Sequence, residues 1–136
     1  MATSPKKVRA VRLRGRLWVQ IGPGSALNES GADLLEQIAA SGSLSEAARR
    51  LRYSYRRAWL LLDSMNRAWP EPLVDTQTGG KHGGGARLTE SGQAVLRAYR
   101  DLQVQLEHLL DQATSEFLRT TLPSRAPADY KPTEQA

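Results

Sequence analysis

Residues 43–66, SLSEAARRLRYSYRRAWLLLDSMN, predict two short amphipathic helices joined by a tight turn. Four apolar residues of the first helix follow the i, i+3, i+4, i+7 spacing of a buried helix face: Leu44, Ala47, Ala48 and Leu51. We expect the turn at residues 52–53 and a cap for the second helix at Ser54. The second helix repeats the apolar spacing at four positions: Ala58, Leu61, Leu62 and Met65.

The first turn of the second helix leaves Tyr55, Arg56 and Arg57 free to face outward. A helix start that projects polar and cationic groups suits the major groove of DNA. The helix pair therefore supplies a first set of predicted DNA contacts: Ser43, Ser54, Tyr55, Arg56 and Arg57. The alternative for this segment alone is an ordinary helical hairpin with a solvated basic face.

Composition narrows the classes of function. The chain has 136 residues, enough for one domain with a core, and a net charge of +5 with a pI near 10.0. This charge favours a polyanionic partner, although RNA or an acidic membrane surface would suit it equally. The absence of cysteine excludes disulfides, thiolate metal sites and a cysteine nucleophile. No apolar run approaches the ~20 residues that span a bilayer, and we expect a soluble, cytoplasmic protein.

The N-terminal region combines a cationic arm with an extended segment. Residues 1–16 hold only basic charges, and we expect residues 1–10 to form a flexible basic arm. Apolar and polar residues then alternate over 11–21, which predicts either one bent strand or a hairpin with a three-residue loop at Gly15. The sequence Gly-Pro-Gly at 22–24 ends this segment.

A further helix is predicted over about 32–40, with Ser30 as its cap and Gly42 as its end. We expect three of its apolar residues to face inward: Leu34, Leu35 and Ile38. It would complete a three-helix core. The three tryptophans are expected to fill a core or an interface, and Trp59 to lie between the core and the N-terminal strand.

Residues 73–88 predict a wing, which is a strand, a glycine-rich loop over 79–85 and a returning strand over 86–88. Glycines permit close approach to a sugar-phosphate surface, and three side chains offer contacts to it: Lys81, His82 and Arg87. The alternative is a mobile surface loop. A phosphate-binding loop is not expected, because Asp75 and His82 replace residues that the Walker pattern requires.

Thr89 is a candidate cap for a long helix over 90–118, which would extend roughly 43 Å. Its apolar residues recur at steps of four or three over about three heptads: Val95, Tyr99, Leu102, Leu106, Leu109, Ala113 and Phe117. We expect this stripe to form a homodimer interface, although it could also pack on its own domain. Residues 119–136 are expected to be a disordered tail.

Catalysis and metal binding find no support in the sequence. The two histidines, His82 and His108, lie on separate predicted elements without carboxylates at ligand spacing. No Ser, His and Asp set sits on a recognisable nucleophile turn. We therefore expect no enzymatic activity, no cofactor and no metal.

Several stretches resemble the DNA-binding half of the molybdate-dependent transcriptional regulators, a winged helix-turn-helix family related to the LysR-type regulators. The resemblance covers about 31–117, and its most specific stretches are SGSLSEAA at 41–48, SYRRAW at 54–59, MN at 65–66, EPLV at 71–74 and TGGK–GGG–LT over 78–89. It implies a homodimer on double-stranded operator DNA, with Ser54 to Arg57 near bases and phosphates and the wing on backbone or minor groove.

Full-length members of this family carry a C-terminal oxyanion-sensing module. With 136 residues we expect no room for that module here, and direct sensing of molybdate is not expected. The predicted fold is mainly α with small β, a winged helix-turn-helix over 11–89 with a long C-terminal dimerisation helix. The predicted function is a sequence-specific, homodimeric transcriptional regulator of double-stranded DNA. The alternatives are a non-specific architectural DNA-binding protein and a protein-interaction module that works with a separate effector-sensing partner.

Overall fold

The computed structural model describes residues 10–77 and 85–122. Its elements in chain order are β1 Val19–Ile21, β2 Gly24–Leu27, α1 Glu29–Ser41, α2 Leu44–Leu51, α3 Tyr55–Ala68, β3 Val74–Thr76, β4 Ala86–Leu88 and α4 Glu90–Thr121. The chain divides into a larger unit, residues 16–103, and a smaller unit, residues 1–15 with 104–136. Within the described ranges, no helix combines the length and the apolar character needed to cross a bilayer.

The core of the larger unit lies between α1, α2 and α3. The residues of α1 that the sequence predicts to face inward, Leu34, Leu35 and Ile38, are fully buried. Gly42 ends α1 in the left-handed conformation, as predicted. The predicted cap was wrong: the side chain of Asn28, rather than that of Ser30, accepts a bond from the N–H of Gly31 at 2.8 Å. The helix therefore begins at Glu29, three residues before the predicted start.

The N-terminal hairpin differs from both predicted forms. Strands β1 and β2 are antiparallel and are joined by residues 22–23, where Gly22 has a φ of +63°. The turn is therefore at Gly22-Pro23 and not at Gly15. Residues 11–18 keep the alternation between half-buried and exposed side chains except at Gly15, which is exposed, but no strand pairs with them in the described part of the chain. An alternation of apolar and polar residues indicates an extended backbone, but a β-strand also needs a neighbouring strand with which it forms hydrogen bonds.

The wing strands form as predicted, with Val74 opposite Leu88 and Thr76 opposite Ala86. The side-chain amide of Asn66 fastens β3 to α3. Its Nδ2 donates to the carbonyl of Val74 at 3.1 Å, and its Oδ1 accepts from the N–H groups of Leu73 and Val74 at 2.9 and 3.2 Å. The loop residues Lys81 and His82 lie outside the described ranges.

The start of α4 packs directly on the chain that enters the wing. As predicted, Thr89 caps the helix, since its Oγ1 accepts from the N–H of Gly92 at 3.0 Å; the same hydroxyl donates to the carbonyl of Pro72 at 2.7 Å. The helix runs to Thr121. Residues 119–121, which we predicted to belong to the disordered tail, are therefore helical, and residues 123–136 lie outside the described ranges.

Tyr99, which we predicted in the dimer stripe, is buried in its own domain. Its side chain is only 2% exposed, in the core of its own unit, and its hydroxyl donates to the carbonyl of Leu17 at 2.6 Å. Val95 is half-buried against the same core. Arg100 adds a second attachment of α4, because its Nη2 lies 2.8 Å from Asp33 and 3.1 Å from Glu36 on α1. This part of α4 therefore belongs to the domain core.

Removal of the tyrosine hydroxyl tests this attachment. We expect Tyr99→Phe to lower the free energy of unfolding by about 1–2 kcal/mol, because the Leu17 carbonyl loses its donor while the ring stays packed. Burial also raises the pKa of Tyr99. The contribution of the Tyr99 hydroxyl to the free energy of unfolding should therefore be fully present below pH 10. It should be lost as the pH rises through the pKa of Tyr99 in the folded protein. Urea unfolding at neutral pH measures the first effect, and equal stability of the two proteins would contradict it.

The smaller unit contains residues 104–121 of α4 and the extended residues 10–15. Thr114 and Leu118 are buried there, and Gly15 packs so closely that an added Cβ would lie 3.0 Å from the Leu110 side chain. Other large apolar side chains of this unit are exposed: Val104, Leu109, Phe117 and Leu122. Leu106 and Ala113 are half-buried. The predicted stripe is therefore partly covered and partly open to solvent.

Candidate nucleic-acid interface

Helices α2 and α3 form the predicted helix-turn-helix. The hydroxyl of Ser43 caps α2 by accepting from the N–H of Glu46 at 3.1 Å. Arg52 ends α2 with a φ of +59°, a left-handed conformation that turns the chain at the predicted place. Ser54 caps α3, since its Oγ accepts from the N–H of Arg57 at 3.0 Å. The capping hydroxyls set where each helix begins, which positions the first turn of α3.

The first turn of α3 faces solvent. Ala58, Leu62 and Met65 are buried, whereas Tyr55, Arg56 and Arg57 are exposed, as predicted. Arg56 forms no hydrogen bond or ion pair with the described residues, so its guanidinium is available to a ligand. A bound anion or a guanine edge could use its fork of donors.

Unlike Arg56, Arg57 contacts other side chains of the domain. Its guanidinium lies 4.0 Å from the centre of the Tyr53 ring, and its Nη2 lies 3.5 Å from the hydroxyl of Ser30 on α1. The contact with Ser30 places this guanidinium beside α1, and the cation–π contact with Tyr53 supports that position. The two neighbouring arginines therefore differ in availability, a distinction that the sequence pattern did not contain.

Two of the three tryptophans do not fill the core of this chain. Trp18 is exposed, and Trp59, which we expected between the core and the N-terminal strand, is 48% exposed. The hairpin meets the other end of α3 instead, where the indole N–H of Trp69 donates to the carbonyl of Ala26 in β2 at 3.0 Å. Trp69 occupies the position against the hairpin that we had assigned to Trp59.

A groove of about 460 Å³ separates α3 from the base of the wing. Tyr55 and Trp59, one helical turn apart, line its α3 side, while Ser45 at the start of α2 and Gln77 after β3 line other parts of it. We did not predict Ser45, Trp59 or Gln77 as site residues. Ser45 lies in the first turn of α2, which was a usable signal, but nothing local distinguishes Gln77.

Arg87 does not join these residues. It lies on β4 between the buried Ala86 and Leu88, opposite Asp75 on β3. It lines a second groove with Asp75 and with Glu90 at the start of α4. The carboxylates of Asp75 and Glu90 therefore line the same groove as the guanidinium of Arg87. Arg87 therefore lines a different groove from Tyr55 and Arg56.

The exposed side of α2 carries a compact charge cluster. Glu46 accepts from the Nε of Arg49 at 2.9 Å and from the Nε of Arg50 at 3.2 Å. The hydrogen bond from Arg49 is the largest cause that lowers the pKa of Glu46 from 4.5 to about 2. Glu46 is therefore ionised at neutral pH and holds both guanidinium groups on α2. In the described part of the chain, no three His, Cys, Asp or Glu side chains cluster as metal ligands would.

Comparison with known proteins agrees with this geometry. Residues 32–93 match the family model of the bacterial regulatory helix-turn-helix proteins of the lysR family. The molybdenum transport protein ModE of Azotobacter vinelandii is 36% identical over 112 residues, which are 82% of this chain and 42% of that protein. The DNA-binding transcriptional dual regulator ModE of Escherichia coli K12 is 45% identical over 74 residues, 54% of this chain and 28% of that protein.

The chain carries the N-terminal DNA-binding domain of the ModE family. It spans less than half the length of these curated ModE relatives. Among solved structures, a mutant of Staphylococcus aureus MepR has a TM-score of 0.52 at 16% identity and covers 72% of this chain and 73% of its own. The multiple antibiotic resistance repressor MarR has a TM-score of 0.51 at 19% identity, covering 69% of this chain and 67% of its own. These likenesses agree with the predicted winged helix-turn-helix fold.

Proposed function

We propose that this chain is a sequence-specific, double-stranded DNA-binding transcriptional regulator that acts as a homodimer. The observation that carries the proposal is the capped first turn of α3, where Arg56 is exposed without an intramolecular partner among the described residues, beside the groove that leads to the wing. A helix presented in this way fits the major groove, and its N-terminal residues reach the base edges. Chromosomal DNA as the partner implies a cytoplasmic location and a regulatory, non-enzymatic role.

The groove between α3 and the wing suits one sugar-phosphate strand. With α3 in the major groove and the wing near the next minor groove, one backbone strand would pass between them. The hydroxyls of Ser45 and Tyr55, the indole of Trp59 and the amide of Gln77 offer uncharged hydrogen-bonding groups there. The carboxylate of Asp63 also lines this groove, and its charge is compensated by the ion pair with Arg67 at 3.0 Å. Lys81 and His82 remain proposed wing contacts. We propose Arg87 only as a peripheral phosphate contact, because carboxylates border its groove.

Regulation linked to molybdenum is proposed from the names of the relatives alone. The shared region is the DNA-binding portion, and none of the described residues is assigned to molybdate. The test of DNA binding is selection of bound fragments from the source genome, followed by a salt titration on the best duplex. The logarithm of the binding constant should fall by about 0.9 per neutralised phosphate for each unit in the logarithm of salt concentration.

Arg56→Ala tests direct base reading. We expect it to lower the discrimination between the selected duplex and a scrambled one by about 1–3 kcal/mol, because a bidentate guanidinium contact to guanine is lost. Arg67→Ala is the matched control, since Arg67 is an exposed arginine of the last turn of α3 that pairs with Asp63 at 3.0 Å. If Arg56→Ala weakens binding to the selected and the scrambled duplex equally, Arg56 contacts only phosphate and does not read a base.

The proposed homodimer rests on apolar side chains of α4 that remain exposed, with Leu109 at 60%. Replacing Leu109 by lysine should shift the protein to a monomer at micromolar concentrations, because a charge would enter the apolar interface. Val104→Lys is the control, because Val104 is also exposed but lies outside the predicted heptad stripe. Sedimentation velocity measures both variants. A wild-type monomer, or dissociation by both variants alike, would contradict the assigned interface.

Two other functions would give different results. A non-specific architectural protein would bind random competitor DNA as tightly as the selected duplex. A protein-interaction module would show no duplex binding at low salt but stable capture of a defined regulator. The exposed Arg56, which pairs with none of the described residues, favours DNA binding over the protein-interaction module, and the likeness to the ModE regulators favours the sequence-specific function over the architectural one.

A further inference from the structure

Leu60 is a large apolar side chain that the fold leaves in water. It is 49% exposed on α3, whose buried face is formed by Ala58, Leu62 and Met65. It lines a shallow depression together with Arg56 and Ser64. Burial in the domain core therefore does not account for this leucine.

Helix geometry places Leu60 on the same face as Arg56. Residues four apart on an α-helix lie about 6 Å apart along the axis and almost above one another. One turn beyond Leu60, Asp63 pairs with Arg67 at 3.0 Å. The exposed face of α3 thus presents, in order, an available cation, an apolar side chain and an internally neutralised ion pair.

We propose that Leu60 is a specificity-determining residue that contacts the C5-methyl group of a thymine in the bound duplex. The proposal rests on the proposed function. The major groove is about 12 Å wide and admits a whole helix, so Leu60 must enter the groove together with Arg56. The thymine methyl is the apolar group that natural base pairs present in that groove. A separation of about 6 Å corresponds to roughly two base-pair steps from the base that Arg56 reads.

A protein partner fits this position less well. When α3 occupies a major groove, its Arg56–Leu60 face is covered by DNA and is closed to another macromolecule. The positive charge beside Leu60 also complements a polyanion. The leucine therefore supplies selectivity for A·T pairs that the arginine alone does not provide.

Replacement of single thymines by uracil tests the contact, because uracil lacks only the methyl group and keeps the hydrogen-bonding edge. The full chain is titrated with the selected duplex and with duplexes that carry one uracil each. We expect one thymine position per half-site at which the wild-type protein loses about fourfold in affinity, the effect of one buried methyl group. Leu60→Ala should bind the thymine duplex more weakly and show no loss at that position.

Ser64→Ala serves as the control on the same face and should keep the methyl dependence of the wild type. Thermal unfolding of Leu60→Ala verifies that the exposed substitution leaves the fold intact. An identical uracil profile for the wild type and Leu60→Ala, or a wild-type profile without a sensitive thymine, would overturn the inference while the proposed function stands. Absence of any duplex preference in the wild type would overturn both. Unchanged DNA binding by Leu60→Ala with loss of a protein partner would overturn the inference and assign this face to protein contact.

Discussion

Replacing Gly92 by alanine should destabilise the protein by about 3 kcal/mol, the upper part of the range for overpacking. Alanine normally stabilises a helix relative to glycine by up to about 1 kcal/mol, so the expected sign is opposite to that of helix propensity. The reason is steric. A Cβ at position 92 would lie 2.0 Å from the carbonyl oxygen of Leu73 and 2.9 Å from its carbonyl carbon.

The Leu73 backbone has little freedom to move away. Its N–H donates to Asn66 at 2.9 Å, and its carbonyl accepts from the N–H of Thr89 at 3.0 Å. A shift would therefore break bonds on both sides of the wing entry. Gly24→Ala is the matched control, because a Cβ there meets nothing within 4 Å. Urea unfolding measures both variants, and a Gly92→Ala protein as stable as the wild type would show that α4 does not approach Leu73 so closely.

Asn66→Ala should also cost about 2–4 kcal/mol. The substitution removes the partners of three backbone groups, namely two N–H groups and one carbonyl at the start of β3. Each buried polar group left without a partner costs about 1–3 kcal/mol in desolvation. The cost is smaller here because these three groups are only partly buried and water can reach them. The wing should therefore detach from α3 before the three-helix core unfolds.

Two further variants isolate the role of the amide. Gln93→Ala removes an exposed amide whose side chain forms no hydrogen bond with the described residues, and we expect little change. Asn66→Asp keeps an acceptor for the two N–H groups but loses the donor to the Val74 carbonyl, so its stability should be intermediate. The N–H of Ala86 in β4 donates to the carbonyl of Gly42 at the end of α1 at 2.9 Å, so amide hydrogen exchange of Ala86 reports detachment of the wing. Unchanged protection of this amide in Asn66→Ala would contradict the assigned role.

The sequence predicted those features whose causes are local. Ser54 and Gly42 stand at helix ends where caps act over three or four residues, and both form as expected. The period of the apolar residues predicted which faces of α1, α2 and α3 are buried. For the same reason, the exposure of Tyr55 and Arg56 followed from their position on α3.

Predictions that depended on a distant partner were less successful. The alternation over residues 11–21 indicated an extended backbone, but the position of the hairpin depended on which strand could pair with β1. Trp59 was expected to be buried because it is large and apolar. Its burial required the N-terminal hairpin to pack over it, but the hairpin contacts Trp69 rather than Trp59. Arg57 is exposed as predicted, but its contacts with Tyr53 and Ser30 were not predicted.

By itself, the sequence determined the helix-turn-helix, its caps and the residues exposed on its first turn, because these depend on side chains within one or two helical turns of each other. Only the tertiary structure decided that Asn66 holds the wing, that Gly92 allows α4 to cross Leu73, and that Tyr99 belongs to its own domain. The hydroxyl of Tyr99 bonds to a carbonyl 82 positions away in the chain. Such pairings depend on how the folded elements meet in space, which no local pattern of residues records.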